Sequence, residues 1–394
     1  MQSYKKNKIV FVYFIYIILA YILFLIAHSE QFPAKYVFTD WLINYEGGFI
    51  RRGLMGQISY ELSNLTGLKI KNIILFFQIG AYLIYILIFI YFFSKIKINF
   101  FWLLFIFSSI SFLYPLGELE ALGKKDILVL LLFLAFTITK TSNLNNLFFY
   151  FFIYFGVSCL IHEITFFYIY YYFLIIYFKC KIQLKKIINL KYYFVTLIFV
   201  TILIYLNLYV SQHAQLQEIA SSYNEKDIII AVRDGAFSWL SSPLQEHILT
   251  IINQISLIGI ARYVFILGVN ILPIIYFIRI EKNSSEIKTN LKKIILILIL
   301  FSLPIYILTL DWGRITYLSY NFLIIFLIFL FNEKLIDIKY IEFKSQKISL
   351  IKKTIIFFSI SLMFGPKILL TDDLGGIPFY QSFTKFIKLI FYYL

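Results

Sequence analysis

The stretch IVFVYFIYIILAYILFLIA, residues 9–27, runs for nineteen residues without one charge, and it decides the class of fold. A helix of about 20 apolar residues matches the hydrocarbon thickness of a bilayer, and a segment of that length is a membrane span before it is anything else. Lys5, Lys6 and Lys8 precede it. A signal-peptide core is shorter, about 7–15 residues, so the expectation is a retained first helix with its amino end in the cytoplasm.

The rest of the chain extends that reading. Of 394 residues, 61% are hydrophobic, 21% aromatic and only 14% charged. A soluble domain carries about 25% charged residues, so too few polar side chains are present to cover a water-facing surface. Apolar runs at 72–93, 99–115, 126–139, 147–161, 163–178, 192–210, 263–279, 294–310, 317–331 and 354–370 join the first as candidate spans. The expected fold is all-α: a polytopic transmembrane helical bundle of about 11 spans, 1–394 forming one integral membrane domain. Re-entrant or interfacial helices are expected on the outer face. Segment 247–260 is apolar enough to lie at an interface, and 384–394 is amphipathic. Neither an internal repeat nor a low-complexity tail is visible.

Lysine fixes the expected orientation. With the amino terminus inside, the tail and the loops 94–98, 140–146, 179–191, 280–293 and 332–353 hold 21 of the 30 lysines. That agrees with the positive-inside bias at every loop. It also gives the net charge of +15 an ordinary origin in lipid-facing loops rather than in nucleic-acid binding, for which no basic and aromatic stripe exists. Cys159 and Cys180, the only cysteines, form no framework spacing and no CxxC.

Arginine behaves differently. Of six, Arg51, Arg52, Arg233 and Arg314 fall on the outer side of this layout, Arg262 near its boundary, and Arg279 alone is cytoplasmic. The planar guanidinium grips carboxylates and phosphates through two parallel hydrogen bonds, which lysine cannot copy. Outward arginines in a chain that otherwise uses lysine therefore point to a ligand.

Five polar clusters share the outer side. TDWLINYEGGFIRRGLMGQI (39–58) lies in the large extracytoplasmic loop 28–71, with Asp40, a Gly-Gly turn, Arg51 and Arg52. GELEALGKKD (117–126) brings Glu118, Glu120, Lys124, Lys125 and Asp126. IHEITFF sets His162 and Glu163 at the tip of a helical hairpin. The second large loop, 211–246, carries VRDGAFSW with Arg233. LDWGRITY (310–317) brings Asp311 and Arg314. Each cluster also has a plainer reading: a helix-end ion pair for Asp311 and Arg314, an interfacial turn for His162-Glu163, a solvated loop at 117–126, headgroup contact for Arg51-Arg52. HEITF lacks the second histidine of HExxH, which argues against a zinc protease. What favours a site is that acids, a histidine and arginines far apart in sequence land on one membrane face, where ionisable groups mark substrate paths.

That set suits a lipid-linked phosphosugar. A diphosphate would meet Arg51, Arg52, Arg233, Arg314, Lys124 or Lys125. Asp40, His162, Glu163 and Asp311 are candidate general bases for an acceptor hydroxyl, with inversion by direct displacement. The segment NYEGGFIRRGLMGQI, followed by GKKD, HE..FF and DWGR, resembles a pattern in bacterial polysaccharide-locus membrane proteins, including Wzy-type O-antigen and capsule polymerases. The layout is also similar to that of GT-C glycosyltransferases, which carry a catalytic acid in the first large outer loop, where Asp40 stands. The resemblance implies surface-polysaccharide biosynthesis at the bacterial inner membrane. Its substrate would be a polyprenyl-linked saccharide, and the protein most simply a repeat-unit polymerase. A flippase and a chain-length regulator of the same pathway would be partners, with the bilayer itself and without nucleic acid. No cofactor is expected, and a divalent metal is left open. The pattern departs in two ways: such polymerases carry their two large outer loops in the later half, and no second acid stands beside Asp40. A GT-C-type single-sugar transferase, a lipid-linked oligosaccharide flippase and a non-catalytic membrane factor are the alternatives.

Overall fold

A computed structural model describes residues 2–96, 100–185, 188–235, 240, 244–280, 291–338, 365–367 and 377–393. The described chain is helical apart from one pair of three-residue strands, Ile278–Ile280 and Ile336–Ile338. Five helices are long and apolar enough to cross a membrane: Val10–Ser29, Ile70–Lys95, Leu144–Ile161, Leu190–His213 and Trp312–Asn332. Shorter apolar helices occupy Asp126–Ile138, Leu257–Leu272 and Lys293–Leu308. These apolar helices are compatible with a multi-pass membrane protein, but the expected count of about 11 is not reached among the described residues, and 354–370 lies almost wholly outside them.

The chain divides into two compact units, residues 1–24, 82–122 and 247–394 forming one, and 25–81 with 123–246 the other. In the first, the helix Trp312–Asn332 is the core: every side chain from Trp312 to Leu330 is buried. Aromatic rings fill the space around it, Phe14 and Phe89 meeting Phe112 at 5.4 and 5.2 Å and Tyr114 stacking on Tyr317 at 5.2 Å. The expected span 99–115 is a correction. Its helix stops after eight residues, Phe100–Phe107, and resumes for one turn at Tyr114–Gly117. Ser108, Ser109 and Ser111 lie in the break, all fully buried, and their hydroxyls compete with the helical ladder for backbone partners. Buried backbone that leaves the helix needs other donors. Tyr13 donates to the Ile106 carbonyl at 3.0 Å, Tyr21 to that of Phe112, and Asn321 to that of Ile110 at 3.4 Å, while the Ser108 hydroxyl donates to Asn270 at 2.7 Å.

The strand pair also belongs to this unit. Ile278 registers with Ile338 and Ile280 with Ile336, antiparallel. It ties the chain after the Leu257–Phe277 helix to the chain after Trp312–Asn332, two connections that the lysine layout assigns to the same side.

In the second unit the hairpin Asp126–Ile138 and Leu144–Ile161 turns through Asn143, whose side chain accepts from the Asn146 amide at 2.8 Å as a helix N-cap. The helix Ile169–Lys179 packs beside it through rings such as Phe133 and Tyr172, 4.9 Å apart. The expected span 163–178 is likewise corrected: Glu163–Tyr168 is a 3-10 turn, leaving an eleven-residue helix. Lys179 is no lipid-facing loop lysine either. It is buried and donates to the carbonyls of Phe136 and Thr139, both at 2.7 Å, neutralising a helix C-terminus. The loop 28–71 folds into helices Tyr36–Trp41 and Gly53–Thr66, and 211–246 into Leu216–Ser221 and Lys226–Asp234. Cys159 and Cys180 are both buried and free.

Candidate functional site

The second unit gathers polar clusters from four connections. Asp40 stands on the short helix Tyr36–Trp41, anchored at its end by Trp41, whose indole N–H donates to the Gly123 carbonyl at 2.7 Å. Gln78 donates to the same oxygen at 2.9 Å. The Val37 side chain fills the place a Cβ on Gly123 would need. The absence of a side chain there is what lets Lys124 and Lys125 follow directly beside Asp40. The helix Gly53–Thr66 is pressed against the chain after Trp41. A Cβ on Gly56 would collide with the Ile43 carbonyl, and Gln57 accepts from the Tyr45 amide at 2.7 Å.

Arg52 precedes that helix in a left-handed conformation, φ 65° and ψ 5°, costing roughly 1–2 kcal/mol in a residue with a Cβ. Its surroundings hold it there. The Arg52 Nε donates to Glu163 at 2.9 Å (Oε1) and 2.8 Å (Oε2), and Nη2 donates to Oε1 as well. The Arg52 carbonyl accepts from Lys125 Nζ at 2.7 Å. Arg52 Nη1 and Lys125 Nζ then flank Asp40, at 3.5 Å from Oδ1 and 3.7 Å from Oδ2. The Asp40 side chain is 1% exposed and Lys125 fully buried. These contacts are electrostatic, and neither Asp40 oxygen accepts a hydrogen bond within the described structure.

His162 caps the 3-10 turn, its Nδ1 accepting from the Ile164 amide at 3.2 Å and lying 3.4 Å from Glu163 Oε2. An Nδ1 that accepts leaves the proton of a neutral imidazole on Nε2. Arg51 approaches Glu163 no closer than 4.0 Å, and the Lys124 ammonium sits 4.5 Å from the centre of the Tyr36 ring.

Charge governs protonation here. Burial alone would raise the Asp40 carboxyl, but Lys125 and Arg52 outweigh it and hold Asp40 well below the usual carboxylate range. Glu163 is held well below its range in the same way, burial again opposed chiefly by Arg52. Burial pushes Lys125 down to about 8 against the pull of Asp40. Burial also draws Arg51 down, whereas Arg52, despite burial, is raised by Glu163. At neutral pH the Asp40 and Glu163 carboxylates are ionised beside three cations, Arg51, Arg52 and Lys125.

Arg233 is exposed on the helix Lys226–Asp234, whose end at Gly235 packs against the side chain of Thr39, the neighbour of Asp40. The chain before that helix is tied to the Asp40 stretch by Asn44 donating to Ser222 at 2.9 Å, Tyr223 to the Leu42 carbonyl at 2.7 Å and Gln215 N to the Gly47 carbonyl at 2.7 Å. Asp311 and Arg314 belong to the first unit, paired at 3.0 Å at the start of Trp312–Asn332 with Arg314 buried. Sequence reasoning missed the Trp41–Gly123 anchor and Gln57. A tryptophan next to a candidate acid and a glycine next to paired lysines were the available signals. Among the described residues, no three His, Cys, Asp or Glu side chains gather as metal ligands. No family model, curated protein or solved structure matches the chain.

Proposed function

We propose that the protein transfers a glycosyl unit from a polyprenyl-phosphate- or diphosphate-linked saccharide, at the outer face of a bacterial cytoplasmic membrane, as a repeat-unit polymerase of surface polysaccharide. The observation that carries this reading is Asp40: an ionised, buried carboxylate that accepts no hydrogen bond, set among cations. A carboxylate whose lone pairs are uncommitted can accept the proton of an acceptor hydroxyl. The surrounding positive charge can meet the phosphate that departs. Lys125 and Arg52 keep the base ionised, and the apolar helices accommodate a polyprenyl tail. The amino terminus is assigned to the cytoplasm by lysine distribution.

The test is Asp40→Asn in the producing cell. The variant keeps the side-chain volume and removes the base. Expected are wild-type protein levels in the membrane, loss of long-chain polysaccharide and accumulation of the lipid-linked unit. Polymer of normal length in that strain refutes Asp40 as the base.

A further inference from the structure

Two adjacent arginines reach one site, and the structure gives their guanidinium groups unlike surroundings. Arg52 is committed. Its Nε and Nη2 are on Glu163, its Nη1 faces Asp40, its carbonyl takes Lys125, and its backbone is left-handed. An anion arriving at Arg52 would first have to displace a carboxylate from a paired hydrogen bond. Arg51 makes no side-chain hydrogen bond among the described residues. Its nearest carboxylate oxygen is 4.0 Å away, and a quarter of its side chain is exposed.

From this contrast we infer that the arginines divide the work: Arg51 binds the phosphate oxyanion, and Arg52 is a positioning residue that fixes Glu163 and Asp40. The inference rests on the lipid-linked phosphate reading and names which fork meets that phosphate. Glu163 then has two effects. It occupies the Arg52 fork, and its charge beside Arg51 weakens attraction for an incoming anion.

The experiment measures binding of inorganic pyrophosphate to the full-length protein in phosphatidylcholine nanodiscs. A charge-assisted hydrogen bond is worth enough that Arg51→Gln is expected to weaken binding by about tenfold or more, with Arg51→Lys between it and wild type. Arg52→Lys is expected to lower thermal stability while the folded protein keeps pyrophosphate affinity within about twofold. Glu163→Gln frees the Arg52 fork and removes a negative charge, so pyrophosphate binds more tightly, a gain that a merely structural role does not produce. Unchanged binding in Arg51→Gln, or unchanged or weaker binding in Glu163→Gln, overturns the division. A phospholipid headgroup offers the same phosphate chemistry. Binding must therefore persist in phosphatidylglycerol nanodiscs, and its loss there reassigns Arg51 to headgroups and overturns the inference. Arg51-dependent binding beside normal polymer in Asp40→Asn leaves the inference standing and removes Asp40 as the base. Arg51-independent binding beside an Asp40→Asn defect does the reverse.

Discussion

Arg52 holds Glu163 through Nε and Nη2 together, joining residues 111 positions apart in the chain. The pair is the keystone of the charged cluster, because the same Arg52 faces Asp40 and presents its carbonyl to Lys125. Both partners are only partly exposed, 17% and 20%, so the interaction is less screened than a surface ion pair.

Coupling between the two follows. Arg52→Lys and Glu163→Gln are each expected to destabilise the protein by about 1–3 kcal/mol. The double variant should lose less than the sum, because each single change strands the other's charge. Thermal unfolding of the four proteins in one detergent measures this, and strict additivity would show that the pair is energetically idle.

Lys125 sets an alkaline limit. With its pKa pushed down to about 8, the ammonium that faces Asp40 is lost as pH rises through that value, and activity that needs it declines there. Arginine stays charged beyond pH 12, so Lys125→Arg is expected to move the alkaline limb upward by more than one pH unit if the variant retains turnover. Stability should respond with the opposite sign. Above about pH 8 the unfolded lysine binds more protons than the folded one, so the Lys125 contribution rises toward pH ~10.4. A pH profile of turnover that is identical in Lys125→Arg would remove Lys125 from the mechanism.

Asp40 acts at the acid end. Its folded carboxyl lies below its unfolded range, so its ion pairs stabilise the protein fully above about pH 4 and less as pH falls from there. Asp40→Asn should flatten that acid limb in a thermal-shift series. An acid limb of unchanged slope would mean that Asp40 is not ionised in the folded protein.

Gly56 tests the scaffold without touching a charge. Its Cβ position meets the Ile43 carbonyl, which is backbone and cannot swing aside. Gly56→Ala is expected to cost about 1–3 kcal/mol by overpacking, despite alanine's better helix propensity. Unaltered stability would mean that the Gly53–Thr66 helix does not pack where described.

Much of this arrangement was legible because composition and parity are strong signals. Nineteen uncharged residues at 9–27 read as a span, and the loops placed on one side by lysine counting supplied Asp40, Arg52, Lys125 and Glu163, which the second unit brings together. The strand pair Ile278–Ile280 with Ile336–Ile338 was not legible: Ile278 and Arg279 fall within the expected span 263–279. What was not legible depends on particular hydrogen bonds. Hydropathy averages across Ser108–Ser111 without showing that tyrosine hydroxyls will replace the helical ladder. Lysine counting cannot tell an exposed Lys181 from a buried Lys179 that closes a helix end. Nor does an Arg-Arg pair announce that one member will be locked in a left-handed turn by a distant glutamate.

Glycosyl transfer itself is tested most directly with purified full-length protein in liposomes. The substrate is the lipid-linked saccharide extracted from cells that carry Asp40→Asn. Saccharide length and free polyprenyl phosphate or diphosphate are measured over time. The account predicts that the wild-type protein lengthens the saccharide and releases the lipid carrier, and that Asp40→Asn at equal amount does neither. Saccharide that crosses the bilayer without changing length, or that Asp40→Asn lengthens as fast as wild type, would contradict it.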